Sequence, residues 1–242
     1  MNDKIPKTIM QTGPWKTYDG EVRDRIISMN PGYDYEYYNN DDCVLFLEEH
    51  FGSHLVNTFN ALRPGAFKAD LFRYCYIYIK GGVYIDIDLE PLVPLDEIIP
   101  HEADFVSVRE NIIVYPKLLG IWQAFMAGKK NLDFLRDAIV KIVNNVHNKV
   151  YPSGSHEYIQ DVLLITGPSL LYNAMHISGI PKLGYSKARN NTIYLYHYGP
   201  NTVTDHNNLY GVYDASGRKI FYDHPSLSTI YIDMFRNREV YQ

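Results

Sequence analysis

The 242-residue chain has only two cysteines, Cys43 and Cys75, too few for a disulfide framework to substitute for a core. Cys75 lies in an apolar stretch of helical spacing and reads as a buried free thiol. Long apolar runs are missing too: none approaches the ~18–20 residues that a bilayer-spanning helix needs. The opening residues, Met1 to Lys7, lack the apolar core of a secretion signal. The expectation is a soluble, intracellular (cytoplasmic) protein with no membrane insertion. Positive charge is also scarce, with 23 Lys and Arg against 28 Asp and Glu and a net charge of −5. With no basic surplus to neutralise phosphates, nucleic acid is excluded as a partner. Low-complexity tracts are absent, which sets the chain apart from disordered sequences.

What is present is a core's worth of apolar residues, 46% of the chain, in a length that suits one α/β domain. The 22 tyrosines cluster, as at Tyr33, Tyr35, Tyr37, Tyr38 and again at Tyr74, Tyr76, Tyr78. Their apolar faces and polar tips suit half-buried element faces first, and sugar or base contacts second.

Periodicity and punctuation give the elements. Ile5 to Gln11 reads as a strand, Glu21 to Met29 as a helix stopped by Asn30-Pro31-Gly32, and Tyr33 to Tyr38 as a second strand. Asp41-Asp42 offers an N-cap for a helix from Cys43 to His50, and another helix follows from His54 to Leu62. Ala66 to Lys80 is a helix with Phe67, Leu71, Tyr74 and Tyr78 inward, closed by Gly81-Gly82. Val83 to Ile85 is then a short buried strand ending at Asp86. Further strands are expected at Phe105–Val108, Ile112–Tyr115, Thr192–Tyr196, Gly211–Tyr213 and Lys219–Tyr222, and helices at Leu132–Val146 and Gly167–His176. A carboxylate at the carboxyl end of a strand is where open α/β sheets bind ligands. No repeat or linker interrupts the chain, so one domain is expected over 1–242. Its ligand-binding part is about 1–115, and the part that completes the site about 116–242.

Asp86-Ile87-Asp88 is the first constellation. In extended backbone i and i+2 share a face, so both carboxylates should project into one crevice. Such a pair suits a hard divalent ion, Mn²⁺ or Mg²⁺, that would neutralise the diphosphate of a nucleotide-sugar as the nucleotide departs. With 18 aspartates, about one D-x-D arises by chance, so spacing alone decides nothing and the buried strand before it carries the weight. Asp70 and Arg73 are the second, three apart on the preceding helix and therefore on one face. They fit either an exposed ion pair or a clamp on sugar hydroxyls and phosphate. Two other classes use parts of this pattern. A haloacid dehalogenase-type phosphotransferase would place D-x-D at its start, not after 85 residues. A non-catalytic sugar-binding protein would not need both constellations.

The run Ala69-Asp70-Leu71-Phe72-Arg73 followed by Lys80-Gly81-Gly82-Val83-Tyr84-Ile85-Asp86-Ile87-Asp88 resembles the DXD glycosyltransferases of family 32. That family includes the yeast-type initiating α-1,6-mannosyltransferases and is related to the catalytic domain of the large clostridial glucosylating toxins. Ile5-Pro6-Lys7-Thr8-Ile9-Met10-Gln11-Thr12 is similar to its first strand, and Thr166-Gly167-Pro168 to a downstream Thr-Gly-Pro. The resemblance implies a GT-A fold, a Rossmann-like domain with a mixed central sheet and a β-containing C-terminal part. It also implies Mn²⁺-dependent retaining transfer of a hexose from a UDP- or GDP-sugar to a glycan or glycoprotein acceptor. Asp70, Arg73, Asp86 and Asp88 would be catalytic; Gln11, Thr12, Asp70, Arg73, Tyr84 and Asp86 would bind the donor, with Gln11 and Thr12 against the nucleoside. Asp86 and Asp88 would hold the metal, together with His224 of Asp223-His224. Asp223 itself and His197 are the other candidates for that ligand. Two departures stand out: Met10 occupies a position where members often have His, and the family's closing Ser-Trp pair is missing.

Overall fold

The computed structural model describes residues 4–110, 119–153, 158–177, 182–199, 211–223 and 230–242. Its first half runs β1 (Thr8–Thr12), α1 (Glu21–Met29), β2 (Asp34–Tyr38), α2 (Asn40–Phe51), α3 (Ser53–Ala61), α4 (Gly65–Lys80), β3 (Gly82–Ile85), β4 (Leu89–Pro91), α5 (Leu95–Ile98) and β5 (Phe105–Arg109). The second half runs β6 (Ile121–Gly128), α6 (Asp133–His147), α7 (Tyr158–Leu163), α8 (Pro168–Ala174), β7 (Gly184–Ala188), β8 (Asn191–Tyr198), β9 (Val212–Tyr213), β10 (Lys219–Asp223) and α9 (Ile230–Arg236). The strands form one mixed sheet in the order β2-β1-β3-β6-β5-β8-β9-β10-β4, with β7 paired to β8. β2, β1 and β3 are parallel, and β6 reverses the direction beside β3.

Alternation along the central strands divides the core in two. Met10, Tyr84 and Met126 join Leu71, Phe72, Phe134 and Leu171 in one cluster. Ile9, Val83, Ile85, Phe125 and Ala127 join Ile26, Leu89 and Leu95 in the other. The first cluster takes in α2, α3, α4, α6 and α8 and the second takes in α1 and α5, so both faces of the sheet are covered. This is the α/β architecture expected from the sequence.

Most element boundaries fall within two residues of expectation, and the differences have local causes. α2 begins at Asn40 rather than Cys43 because Asn39 is the N-cap: its side chain accepts from the N–H groups of Asp41 and Asp42, and Asp42 reaches back to the Asn39 N–H. α4 is buried nearly all round, so Tyr76 and Ile77 are sealed in while Tyr78, expected inward, stays half-buried. β6 is not among the strands that periodicity marks, and it lies inside the sheet between β3 and β5. The strand expected at Ile112–Tyr115 lies outside the described residues. Cys43 and Cys75 are both buried free thiols, and burial pushes the Cys43 thiol up to about 12. Among the described residues no helix is long and apolar enough to cross a membrane.

The Gly81-Gly82 turn launches β3 toward the carboxylates. Gly82 has φ +106°, and a Cβ there would stand 2.8 Å from the Thr8 carbonyl oxygen of the neighbouring strand. Gly82→Ala should therefore lower the unfolding free energy by about 2–3 kcal/mol. Urea unfolding checks this; an unchanged midpoint would contradict the close approach.

Candidate active site

The carboxyl ends of β1 and β3 and the first turn of α4 open onto a cavity of about 590 Å³. Thr12, Gly13, Asn40, Lys68, Arg73, Tyr84, Asp86, Asp88, Trp122 and Asp223 are among its walls. The first turn of α4 has no side-chain cap, since Pro64 stands at the N-cap position.

Asp86 and Asp88 both border the cavity, but for a different reason than strand alternation. β3 ends at Ile85, and the Leu89 N–H donates to the Asp86 carbonyl at 3.1 Å, so Asp86 to Leu89 form a turn. The pair is gathered by that turn rather than by an extended backbone. Three further hydrogen bonds hold it: the Asp86 N–H donates to the Ala124 carbonyl of β6 at 2.7 Å, and the Gln11 Nε2 donates to the Ile85 and Asp86 carbonyls at 3.2 Å each. The Tyr35 hydroxyl donates to the Gln11 Oε1 at 2.8 Å, which leaves the amide nitrogen as the group facing those carbonyls. Gln11, expected against the nucleoside, is thus fully buried and braces the turn from behind; it is not among the cavity-lining residues. Thr12 does line the cavity, with its hydroxyl donating to the Tyr38 carbonyl.

Asp70 and Arg73 share a face as their spacing requires, but that face is buried, not solvated. Arg73 Nη2 lies 3.5 Å from Asp70 and 3.4 Å from Asp86, its Nη1 donates to the Gln123 carbonyl at 2.8 Å, and its Nε donates to Ala69 at 3.2 Å. The guanidinium carbon sits 4.3 Å from the centre of the Tyr84 ring, and the Tyr84 hydroxyl donates to Asp86. Asp70 lies one layer beneath the cavity lining, where the Thr166 hydroxyl donates to it at 2.7 Å. Burial pushes its carboxyl up to about 6, against the pull of Arg73 and the Thr166 hydroxyl.

At the rim, burial first and then the charges of Asp86 and Asp223 push the Asp88 carboxyl up to about 6. Asp223 accepts the Tyr198 hydroxyl at 2.5 Å, and Tyr198 packs on Trp122 with ring centres 4.8 Å apart. Asp86, Asp88 and Asp223 present hard carboxylate oxygens to the cavity, the donor type that suits Mn²⁺ or Mg²⁺. Among the described residues no three His, Cys, Asp or Glu side chains converge to hold a metal unaided.

Of the histidines expected to help, His224 lies outside the described residues. His197 is buried and absent from the cavity lining; its ring stacks on Tyr213 at 5.5 Å with Nδ1 3.0 Å from the Gly199 carbonyl oxygen. Burial lowers its pKa. Trp122 and Lys68 line the cavity and Gln123 holds Arg73, although no motif marks these three residues. The signal for Trp122 and Gln123 was the run Ile121 to Gly128, whose interior residues are apolar or uncharged.

Residues 18–105 match the family described as glycosyltransferase sugar-binding region containing DXD motif. The initiation-specific alpha-1,6-mannosyltransferase of Schizosaccharomyces pombe is 34% identical over 112 residues, 43% of this chain and 28% of that protein. The protein of the same name from Candida albicans is 26% identical over 133 residues, 48% of this chain and 34% of that protein. The chain thus spans only about a third or less of the length of these curated relatives. Among solved structures, the PaToxG glycosyltransferase aligns with a TM-score of 0.52 at 17% identity, over 72% of this chain and 69% of that one. The motif-based resemblance to DXD glycosyltransferases therefore holds, and the fold is of the GT-A type.

Two measurements test the geometry. Gln11→Leu leaves two backbone carbonyls without their amide donor and should cost about 2–3 kcal/mol of stability in urea unfolding; a neutral substitution would contradict the brace. For Asp88, a folded value raised from 3.8 to about 6 means that stability is lost as pH rises from the unfolded value to the raised one, with the full penalty present above it. Below pH ~4 both states are protonated and the penalty vanishes. Asp88→Asn should thus melt higher than the parent at pH ~8 in chelator, by on the order of 1 kcal/mol, with the gain fading toward pH ~4. A variant less stable at pH ~8 would reverse the assigned sign.

Proposed function

We propose that the chain is a metal-assisted, retaining glycosyltransferase that moves a hexose from a UDP- or GDP-linked donor to a hydroxyl of a glycan or glycoprotein. The observation that carries this reading is the buried Asp70–Arg73–Asp86 web under a cavity whose rim is Asp88 and Asp223. Charge held this firmly, beside an opening large enough for a nucleotide-sugar, suits a reaction that builds negative charge on a leaving diphosphate.

In this reading Asp86 and Asp88 would hold the divalent cation, with Asp223 a further carboxylate at the same rim. That ion, when bound, supplies Lewis-acid neutralisation of the diphosphate. The protein's own residues set the geometry. Arg73 fixes the direction of the Asp86 carboxylate and adds positive potential behind the leaving group. Tyr84 fixes the same carboxylate from the other side. The glycosidic bond from the anomeric carbon to the phosphate oxygen breaks with its electron pair going to the nucleotide. The acceptor oxygen forms the new bond on the same face of the sugar, and its proton passes to the departing phosphate. Transfer of mannose is favoured by relatives named for it, so a mannose donor leads the panel.

The test is donor hydrolysis and thermal shift with GDP-mannose, UDP-glucose and UDP-galactose, in Mn²⁺ and in EDTA. One donor should stabilise the protein and be slowly hydrolysed, and both effects should vanish in EDTA. Silence with every donor would overturn the reading. Asp88→Asn should abolish transfer while the protein stays folded; a fully active variant would sink the metal assignment.

A further inference from the structure

Arg73 is the cation that the motif points to, yet the protein itself takes up most of its hydrogen-bonding capacity. A guanidinium has five N–H donors in a fixed fork. Here Nε and Nη1 each serve a backbone carbonyl, and Nη2 lies between the two carboxylates. The side chain is only 6% exposed. Its positive charge is matched by Asp70 and Asp86 before any ligand arrives, so little direct bonding remains for a phosphate.

Lys68 differs in each respect. It stands on the same helix and lines the same cavity. Its ammonium lies 4.9 Å from the centre of the Phe59 ring, and partial burial lowers its pKa. Among the described residues it has no carboxylate partner. Thr12, Gly13, Asn40 and Phe59, which line the same cavity, are neutral, and the Asp86, Asp88 and Asp223 carboxylates that also line it stand on other strands and turns. A half-desolvated ammonium without a counter-ion is unfavourable in the empty protein, and an anionic ligand removes that cost.

We propose that Lys68 is the direct anion-binding residue of the cavity and takes a phosphoryl oxygen of the donor's nucleoside diphosphate. The aromatic ring of Phe59 steers the ammonium, and Arg73 acts through its field and through Asp86. This rests on the transferase reading above. An ammonium suits the role because it is a compact point charge with three rotatable donors, able to follow a phosphate without a planar match.

The experiment is calorimetric titration of the full chain with UDP, GDP, uridine and guanosine in Mn²⁺, for the parent, Lys68→Met and Lys68→Arg. Met keeps the packing on Phe59 and removes the charge; a melting curve confirms that each variant is folded, with Lys68→Gln as the substitute if Met disrupts folding. Loss of one charge-assisted contact should weaken the nucleoside diphosphate that the parent binds by about tenfold or more. The matching nucleoside should bind unchanged, and Lys68→Arg should stay within about threefold of the parent. Equal diphosphate affinity in Lys68→Met and parent would overturn the proposal and free Lys68 for an anion on the acceptor. Equal loss for nucleoside and diphosphate would also overturn it, by placing Lys68 on the base or ribose. A parent that binds neither diphosphate would instead bring down the transferase reading, and this proposal with it.

Discussion

The guanidinium of Arg73, buried between Asp70 and Asp86, is the constraint on which the rest of the site depends. A charge removed from water at this depth is tolerated only if its partners are held in place. Each partner here is fixed by a different part of the fold: Asp70 by α4 itself and the Thr166 hydroxyl, Asp86 by the turn after β3, and the Gln123 carbonyl by β6. Removing any one would leave an unbalanced charge or donor in the core, a loss of several kcal/mol. The web therefore joins four chain segments, and it does so at the floor of the cavity. Its rigidity is the property a site needs when charge must be stabilised without reorganisation.

Above that floor the electrostatics change sign. Asp88 and Asp223 add carboxylates to Asp86, and the pressure of their charges is visible in the raised Asp88 carboxyl. An acidic rim repels a diphosphate unless a cation stands between them, so a rim of this kind makes binding of anion and metal mutually dependent. Among the described residues that line the cavity, Lys68, on the first turns of α4, carries positive charge besides Arg73. The cavity is thus polarised, with carboxylates along its rim and a lysine on α4.

Much of this was legible in the chain, and the rest was hidden for physical reasons. α1 begins and ends where its periodicity and the Asn30-Pro31-Gly32 stop placed it. Asp70 and Arg73 were paired correctly because helix geometry fixes i,i+3 neighbours, but whether that face is wet or dry depends on packing partners far along the chain. The Asp86 and Asp88 side chains were expected together by strand alternation and meet instead through a turn, since a three-residue spacing cannot distinguish the two. Only the family resemblance sets Gln11 against the nucleoside; that its amide donates to the Ile85 and Asp86 carbonyls of the neighbouring segment is a tertiary fact. β6 escaped because Gln123, Ala124, Met126 and Ala127 are not β-formers by propensity, and its place between β3 and β5 overrides that preference. His197 fits metal chemistry by type alone; its burial against Tyr213 is a tertiary fact.

The match to the family spans residues 18–105, yet several parts of the site lie beyond it. Gln123 holds Arg73, Thr166 holds Asp70, and Asp223 completes the acidic rim. Asp223 arrives by backbone pairing: β10 runs antiparallel to β4, with Asp223 opposite Leu89, the residue after Asp88. A hydrogen-bonded ladder fixes that distance more firmly than a loop could. β6 enters at the point where the parallel strands β2, β1 and β3 give way to an antiparallel neighbour. Changes of strand direction or order are where α/β sheets open crevices at their carboxyl ends. The motif segment therefore supplies charged groups whose positions the second half determines, and a fragment ending near residue 105 would carry the D-x-D sequence without the partners that hold and complete it.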